Sequence, residues 1–347
     1  LSNVAATQFV EMVLDNCPAR LVSADPLLRF AVRRPGGGDL DIAVAVGKGH
    51  TIIEVSMPPL EELELAIARG DRWFDEDLGD PAFDADHRIQ TNDLALARWW
   101  MDAPARTAMR DARYSVLVAD RTQTIAPPRY RHDPRWWSLE IASDRLQLVA
   151  DDELDGSYVG LAITEAVTIA SRGERWLDSI RGPGIEALAF GLGRAFVRAS
   201  DGSGHLVNLA LTRRPFGPDH PGFGLIATSA LDTRGGVVLA RDDLENVWWS
   251  VLRASIDADS RRHPVGLDAP PDGFTVAAAA GADPDALFPL LAHPAFATEA
   301  PSVVRLRPGE VDLIWLAAHT PLDERTVRAA IELRTALGGA TVSGPYR

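Results

Sequence analysis

The sequence predicts an α+β protein of two similar halves, each an antiparallel sheet with helices packed on one face. Three observations lead there. The order strand, strand, strand, helix, strand, helix, strand, strand, helix runs through residues 28–172 and again through 186–338. Short glycine- and proline-rich connections join the strands, which suits antiparallel meanders and leaves no room for parallel crossovers. The strands alternate apolar and polar residues while each helix carries one apolar stripe, so helices cover one sheet face. At 347 residues two domains are expected, at 1–175 (with an N-terminal helix) and 176–347, the second a divergent duplicate.

Residues 3–17 predict a surface helix, because Ala6, Phe9, Val10, Val13, Leu14 and Cys17 fall on one face. Ser2 or Asn3 caps its start and Pro18 helps to stop it. Strands follow at Leu28–Val32, Leu40–Val46 and Thr51–Ser56, separated by Pro35-Gly36-Gly37-Gly38 and Gly47-Lys48-Gly49-His50. Pro58 and Pro59 predict a helix start, with Leu60, Leu63, Ala66 and Ile67 on its apolar face. A polar stretch to Asp86 leads to a strand at His87–Thr91. Asp93 then caps a helix through Trp99 and Trp100. Strands near Tyr114–Ala119 and Leu139–Val149, the latter broken or extended by a loop, precede a helix at about 157–172.

The second half replays these elements. Ala187–Arg198, His205–Thr212 and Gly224–Ser229 form its meander, with a turn at Asp201-Gly202-Ser203-Gly204. Asp242 or Asp243 caps a helix carrying Leu244, Val247, Trp248 and Leu252. Phe274–Ala278 is a strand, Asp283–Leu291 a helix, and Pro308-Gly309 turns Val303–Leu306 into Val311–Leu316. Asp323–Leu337 is the last helix, ended by Gly338-Gly339. Leu146-Gln147-Leu148-Val149 and Val311-Asp312-Leu313-Ile314 share one apolar-polar-apolar-apolar pattern ahead of the two closing helices.

Composition bounds the function classes. The net charge of −14 argues against nucleic acid or an anionic membrane surface as the main partner. Lys48 is the sole lysine, and the arginine bias matches a GC-rich bacterial genome. Cys17 stands alone on an apolar stripe, so it reads as a buried thiol with no disulfide framework around it. No stretch reaches the roughly 18–20 apolar residues of a membrane span. Cytoplasmic residence is the default expectation, with a leader or anchor ahead of Leu1 left open.

Gly79-Asp80-Pro81-Ala82-Phe83-Asp84, then a short strand, then Asn92-Asp93-Leu94-Ala95-Leu96-Ala97, resembles a bacterial domain-of-unknown-function family. The likeness covers about residues 75–172. It implies a fold unit and carries no activity. In the second half only Phe274 to Leu291, with Ala282-Asp283-Pro284-Asp285, is similar, and the G-D-x-x-F-D segment is missing.

Compact catalytic motifs are absent. Asp71, Asp75, Glu76, Asp77, Asp80, Asp84 and Asp86 beside His87 gather hard oxygen donors, yet EF-hand spacing is missing, so aspartates capping turns are expected and no metal. The eight histidines make no H-E-x-x-H pair. Gly36–Gly38 and Gly191-Leu192-Gly193 lack the phosphate-loop and dinucleotide spacings, and no nucleophile elbow appears. No cofactor is expected.

Three tryptophan pairs remain: Trp99-Trp100, Trp136-Trp137 and Trp248-Trp249. Within the helical pairs at 99–100 and 248–249, core packing of both members is the leading expectation; the alternative packs one on the sheet and places the other at an interface. The middle pair ends a proline-rich, basic, aromatic stretch, Pro127 to Trp137, with no counterpart in the second half. A packed surface loop is the first expectation for it, but a loop added to one copy is also a place for function. Arg129, Tyr130, Arg131, Arg135, Trp136 and Trp137 are therefore the candidate partner-binding residues, suited to an acidic surface. The expected function is a non-catalytic protein-binding or assembly component of a bacterial complex, through a protein partner or self-association. The alternative is a hydrolase or transferase with a dispersed active site between the halves.

Overall fold

The computed structural model describes residues 3–25, 27–34, 38–57, 63–70, 76–120, 129–182, 184–191, 194–200, 206–213, 223–244, 272–279, 281–282 and 284–337. The chain divides into two compact units, Leu1–Arg175 and Trp176–Arg347. Each contains one eight-stranded antiparallel sheet.

In the first unit, α1 (Asn3–Asn16) precedes β1 (Ala19–Ser23), β2 (Leu28–Arg33), β3 (Asp39–Gly47), β4 (His50–Ser56) and β5 (Glu64–Arg69). Then come α2 (Pro81–Asp84), β6 (His87–Thr91), α3 (Leu94–Trp100) and α4 (Ala103–Asp111). A ribbon of β7 (Arg113–Asp120) and β8 (Arg129–Trp136) is followed by β9 (Ser138–Ala142), β10 (Arg145–Ala150), α5 (Gly156–Ala170) and α6 (Arg172–Ile180), whose first turn closes the unit. The sheet order is β1-β2-β3-β4-β10-β9-β5-β6.

Period-two alternation decides which face of this sheet is buried. Ile53 and Val55 on β4, Leu146 and Leu148 on β10, Leu139 and Ile141 on β9, and Leu65 and Ile67 on β5 are all withdrawn from solvent. Each such side chain contributes roughly 1.5–3 kcal/mol of transfer free energy. Glu54, Gln147 and Glu140, one step out of phase, lie on the more open face. Helix α5 packs on β4 and β10, and α1 and α4 pack on α5. Gly156 and Gly160 let α1 approach closely: a Cβ on Gly160 would sit 2.6 Å from the Val13 carbonyl oxygen.

The second unit runs through β11 (Ile185–Gly191), β12 (Arg194–Ser200), β13 (Leu206–Arg213), β14 (Phe223–Ala230), β15 (Val237–Arg241) and β16 (Phe274–Ala278). A 3₁₀ turn (Pro284–Leu287), α7 (Phe288–Leu291) and α8 (Pro294–Thr298) follow, then β17 (Val303–Arg307), β18 (Glu310–Leu316) and α9 (Glu324–Ala336). The order is β11-β12-β13-β14-β18-β17-β15-β16, strand for strand that of the first sheet. Asp155 caps α5 and Asp323 caps α9, each accepting two backbone N–H groups. Helix α9 packs on β13, β14 and β18. Both faces of β18 are buried here, because Ile314 and Leu316 join Val238, Ala240, Leu244 and Val303 in an apolar cluster.

Several elements differ from the sequence expectation. The helix expected from Pro58 and Pro59 is a strand over Glu64–Arg69, paired with β6 and β9; Pro58, Pro59 and Leu60 lie outside the described residues. Leu63, Leu65 and Ile67 also alternate with period two, and two strand neighbours favour that reading over the helical one. Ala187–Arg198 divides into β11 and β12, and the helix expected at Asp283–Leu291 is a 3₁₀ turn followed by one short helix. Trp99 and Trp100, by contrast, agree with the core-packing expectation: both are buried, with rings 6.0 Å apart. The helix expected after Asp242 or Asp243 and the pair Trp248-Trp249 lie outside the described residues, as do the turns at 35–37, 201–204 and 338–339.

A candidate docking ribbon

The stretch expected as a loop before Trp137 is a strand where it is described. Arg113–Asp120 has the alternating, β-branched composition of a strand, and β8 pairs with it without interruption from Arg113↔Trp136 to Asp120↔Arg129. The ribbon forms a two-stranded sheet of its own, separate from the eight-stranded one. Pro134 is tolerated within it because an edge strand need not donate every backbone N–H. In the second unit, residues 299–302 alone connect α8 to β17, where the first unit has the ribbon between α4 and β9.

The base of the ribbon is anchored from several sides. Trp137 is 1% exposed, so the structure assigns it to the core and not to a presented surface. Its ring meets Tyr114 edge-on, with centroids 5.9 Å apart, and its backbone N–H donates to the Ala112 carbonyl at 3.2 Å. Arg135 donates from Nη1 to Asp152 at 2.8 Å and lies 3.7 Å from Asp133. Burial, with the Asp152 carboxylate beside it, pushes the Tyr114 phenol up to about 12, so Tyr114 stays a neutral donor. The Arg69 guanidinium lies 3.6 Å over the half-buried Trp136 ring. Farther out, the Ser115 hydroxyl pairs with His132 Nδ1 at 3.1 Å.

Of the six residues picked from sequence, the structure brings Arg135, Trp136 and Trp137 together at this base. Arg129, Tyr130 and Arg131 are placed by backbone register only, opposite Asp120, Ala119 and Val118. Pro127 and Pro128 lie outside the described residues. Sequence reasoning missed Tyr114, Asp152 and Arg69. Tyr114 announces itself as the apolar start of an alternating strand, whereas Asp152 and Arg69 carry no local signal.

The acidic segment before His87 is a knot of caps. Asp80 accepts from Ala82 N–H and Phe83 N–H at the start of α2 and pairs with Arg106 and Arg110 of α4. Asp84, 1% exposed, accepts from Leu78 N–H at 3.1 Å and Asp80 N–H at 2.9 Å. His87 stacks on Phe83 and its Nδ1 bonds the Phe83 carbonyl, while burial lowers its pKa. Asp71 and Asp75 lie outside the described residues. Among the described residues no three such side chains are grouped as metal ligands, and no helix is long and apolar enough to cross a membrane.

Comparison of the chain with protein-family models, with characterised proteins and with solved structures finds no match in any of the three.

Proposed function

We propose that the protein is a non-catalytic binding or assembly component and that the β7–β8 ribbon docks its partner. One observation carries the reading. The two sheets share a strand order, and the ribbon is added to only one of them, at a connection the other closes with residues 299–302. An element that the fold does without in one copy is available for another task. The anchoring of Trp137, Tyr114 and Arg135 at its base supports the same reading, because a rigid mount lowers the ordering cost of docking.

The test is excision. Residues 113–136 are replaced by a short connection patterned on 299–302, and both chains are crosslinked in the native host. The expected result is cooperative unfolding of the excised chain with loss of a partner that the intact chain captures and then binds again as a purified protein. Retention of every partner by a folded, excised chain overturns the proposal.

A further inference from the structure

We infer that the ribbon's partner is an acidic, extended polypeptide segment; this rests on the docking reading above. Residues 113–136 hold five arginines and two aspartates, a formal charge of 5 − 2 = +3 in a chain of −14, leaving −14 − 3 = −17 elsewhere. A local basic element on a strongly acidic body complements an acidic partner and repels a basic one. Along β8, Arg129 and Arg131 fall on one strand parity, a row continued by Asp133 and by Arg135, which Asp152 holds, and Tyr130, His132 and Trp136 fall on the other. Two carboxylates at every-second-residue spacing match the spacing of Arg129 and Arg131 when the segment that carries them is extended.

Nucleic acid is the weaker fit. Binding to nucleic acid rests on neutralising a run of phosphates with Lys and Arg. Within the ribbon, Arg135 is committed to Asp152, and Arg113 lies 3.8 Å from Asp111. The two strands of the ribbon pair with each other and lie outside the main sheet, so their outer edges suit strand addition.

The experiment titrates the full-length chain into two labelled probes, a short peptide of alternating glutamate and threonine and an oligothymidylate, and reads anisotropy. Arg129→Glu with Arg131→Glu should weaken peptide binding about tenfold or more, the equivalent of about 1.4 kcal/mol. The lysine pair at the same positions should restore it, and added salt should weaken it. A thermal melt of each variant separates misfolding from lost contact. Peptide binding that is absent, or indifferent to charge reversal, overturns the inference, and so does preference for the oligothymidylate. If the excised chain loses its native partner while the acidic peptide fails to bind, the docking reading stands and this inference falls. If excision leaves the partner bound, the docking reading falls.

Discussion

Gln147 and Asp312 stand at the same position of the two sheets, each the third residue after the two-residue turn of its closing hairpin. Gln147 is flanked by Glu54 and Glu140, and Asp312 by Thr228 and Arg305. The polar row is retained while its chemistry changes. Gln147 donates to Glu54 at 2.7 Å on an open face. The Asp312 carboxylate is 2% exposed and takes bonds from Thr228, Arg305 and Arg307. Burial works to raise its pKa, but the hydrogen bonds from Arg307 and the charge of Arg305 outweigh it and hold it low.

Asp312→Ala should therefore cost much more than Gln147→Ala. Removing one partner of a buried pair costs roughly 3–5 kcal/mol. Arg307, 43% exposed, regains water, whereas Arg305, 18% exposed, is left largely buried, so the loss falls within that range. Gln147→Ala loses one neutral-to-charged bond on an open face, about 1 kcal/mol. Urea unfolding of the two variants decides, and equal losses would mean that the ion cluster adds nothing to the second sheet.

Asp77 and Asp84 predict a pH effect of opposite sign to that of Asp312. Burial first, and then the neighbouring Asp77 carboxyl, raise the Asp84 pKa. A free aspartate ionises near about 3.9. Between that value and the raised folded one, the native state holds the extra proton, so stability falls as pH rises through the window. Asp77→Asn keeps an acceptor for Gly79 N–H and removes the like charge. The variant should match the parent below about pH 4 and exceed it at neutral pH. A constant difference at every pH would show that the two carboxyls do not communicate.

Gly160→Ala should destabilise despite alanine's better helix propensity. The added Cβ would lie 2.6 Å from the Val13 carbonyl oxygen and 2.8 Å from Asn16 Cβ. Overpacking of about 1–3 kcal/mol works against a propensity gain of about 1 kcal/mol. Leu161→Ala, one residue along and 50% exposed, is the control and should stay within about 0.5 kcal/mol. A rise in melting temperature for Gly160→Ala would mean that α1 and α5 separate at little cost.

What the sequence disclosed depended on whether one local signal spoke alone. Asp93 and Asp323 mark helix starts without competition, and the structure caps α3 and α9 with them. Around Leu63 to Ile67 two periods fit the same residues, and strand neighbours distant in sequence decided between them. Helix α4 had its own marker, Asp102 accepting from Ala105 N–H ahead of a first-turn proline, and was passed over. At the ribbon, the proline-rich composition suggested a loop, whereas a two-stranded ribbon tolerates Pro134. The fates of Trp136 and Trp137 were not legible, since Arg69 and Tyr114 arrive from other strands.

Those two fates give the last prediction. Trp137 is buried against Tyr114, while Trp136 is half-buried under Arg69. Trp137→Ala opens a large cavity at the base of the ribbon and should cost about 3–5 kcal/mol. Trp137→Phe should cost well under that, because it leaves a smaller cavity, the buried indole N–H has no hydrogen-bond partner among the described residues, and nothing is orphaned by its loss. Trp136→Ala loses a cation–π contact of about 0.5–1 kcal/mol and leaves the core alone. Chemical unfolding should therefore rank the variants Trp137→Ala, then Trp137→Phe and Trp136→Ala together. If Trp136→Ala proves the most damaging, the ribbon is held by the Arg69 stack, and the Tyr114–Trp137 contact is incidental to its mounting.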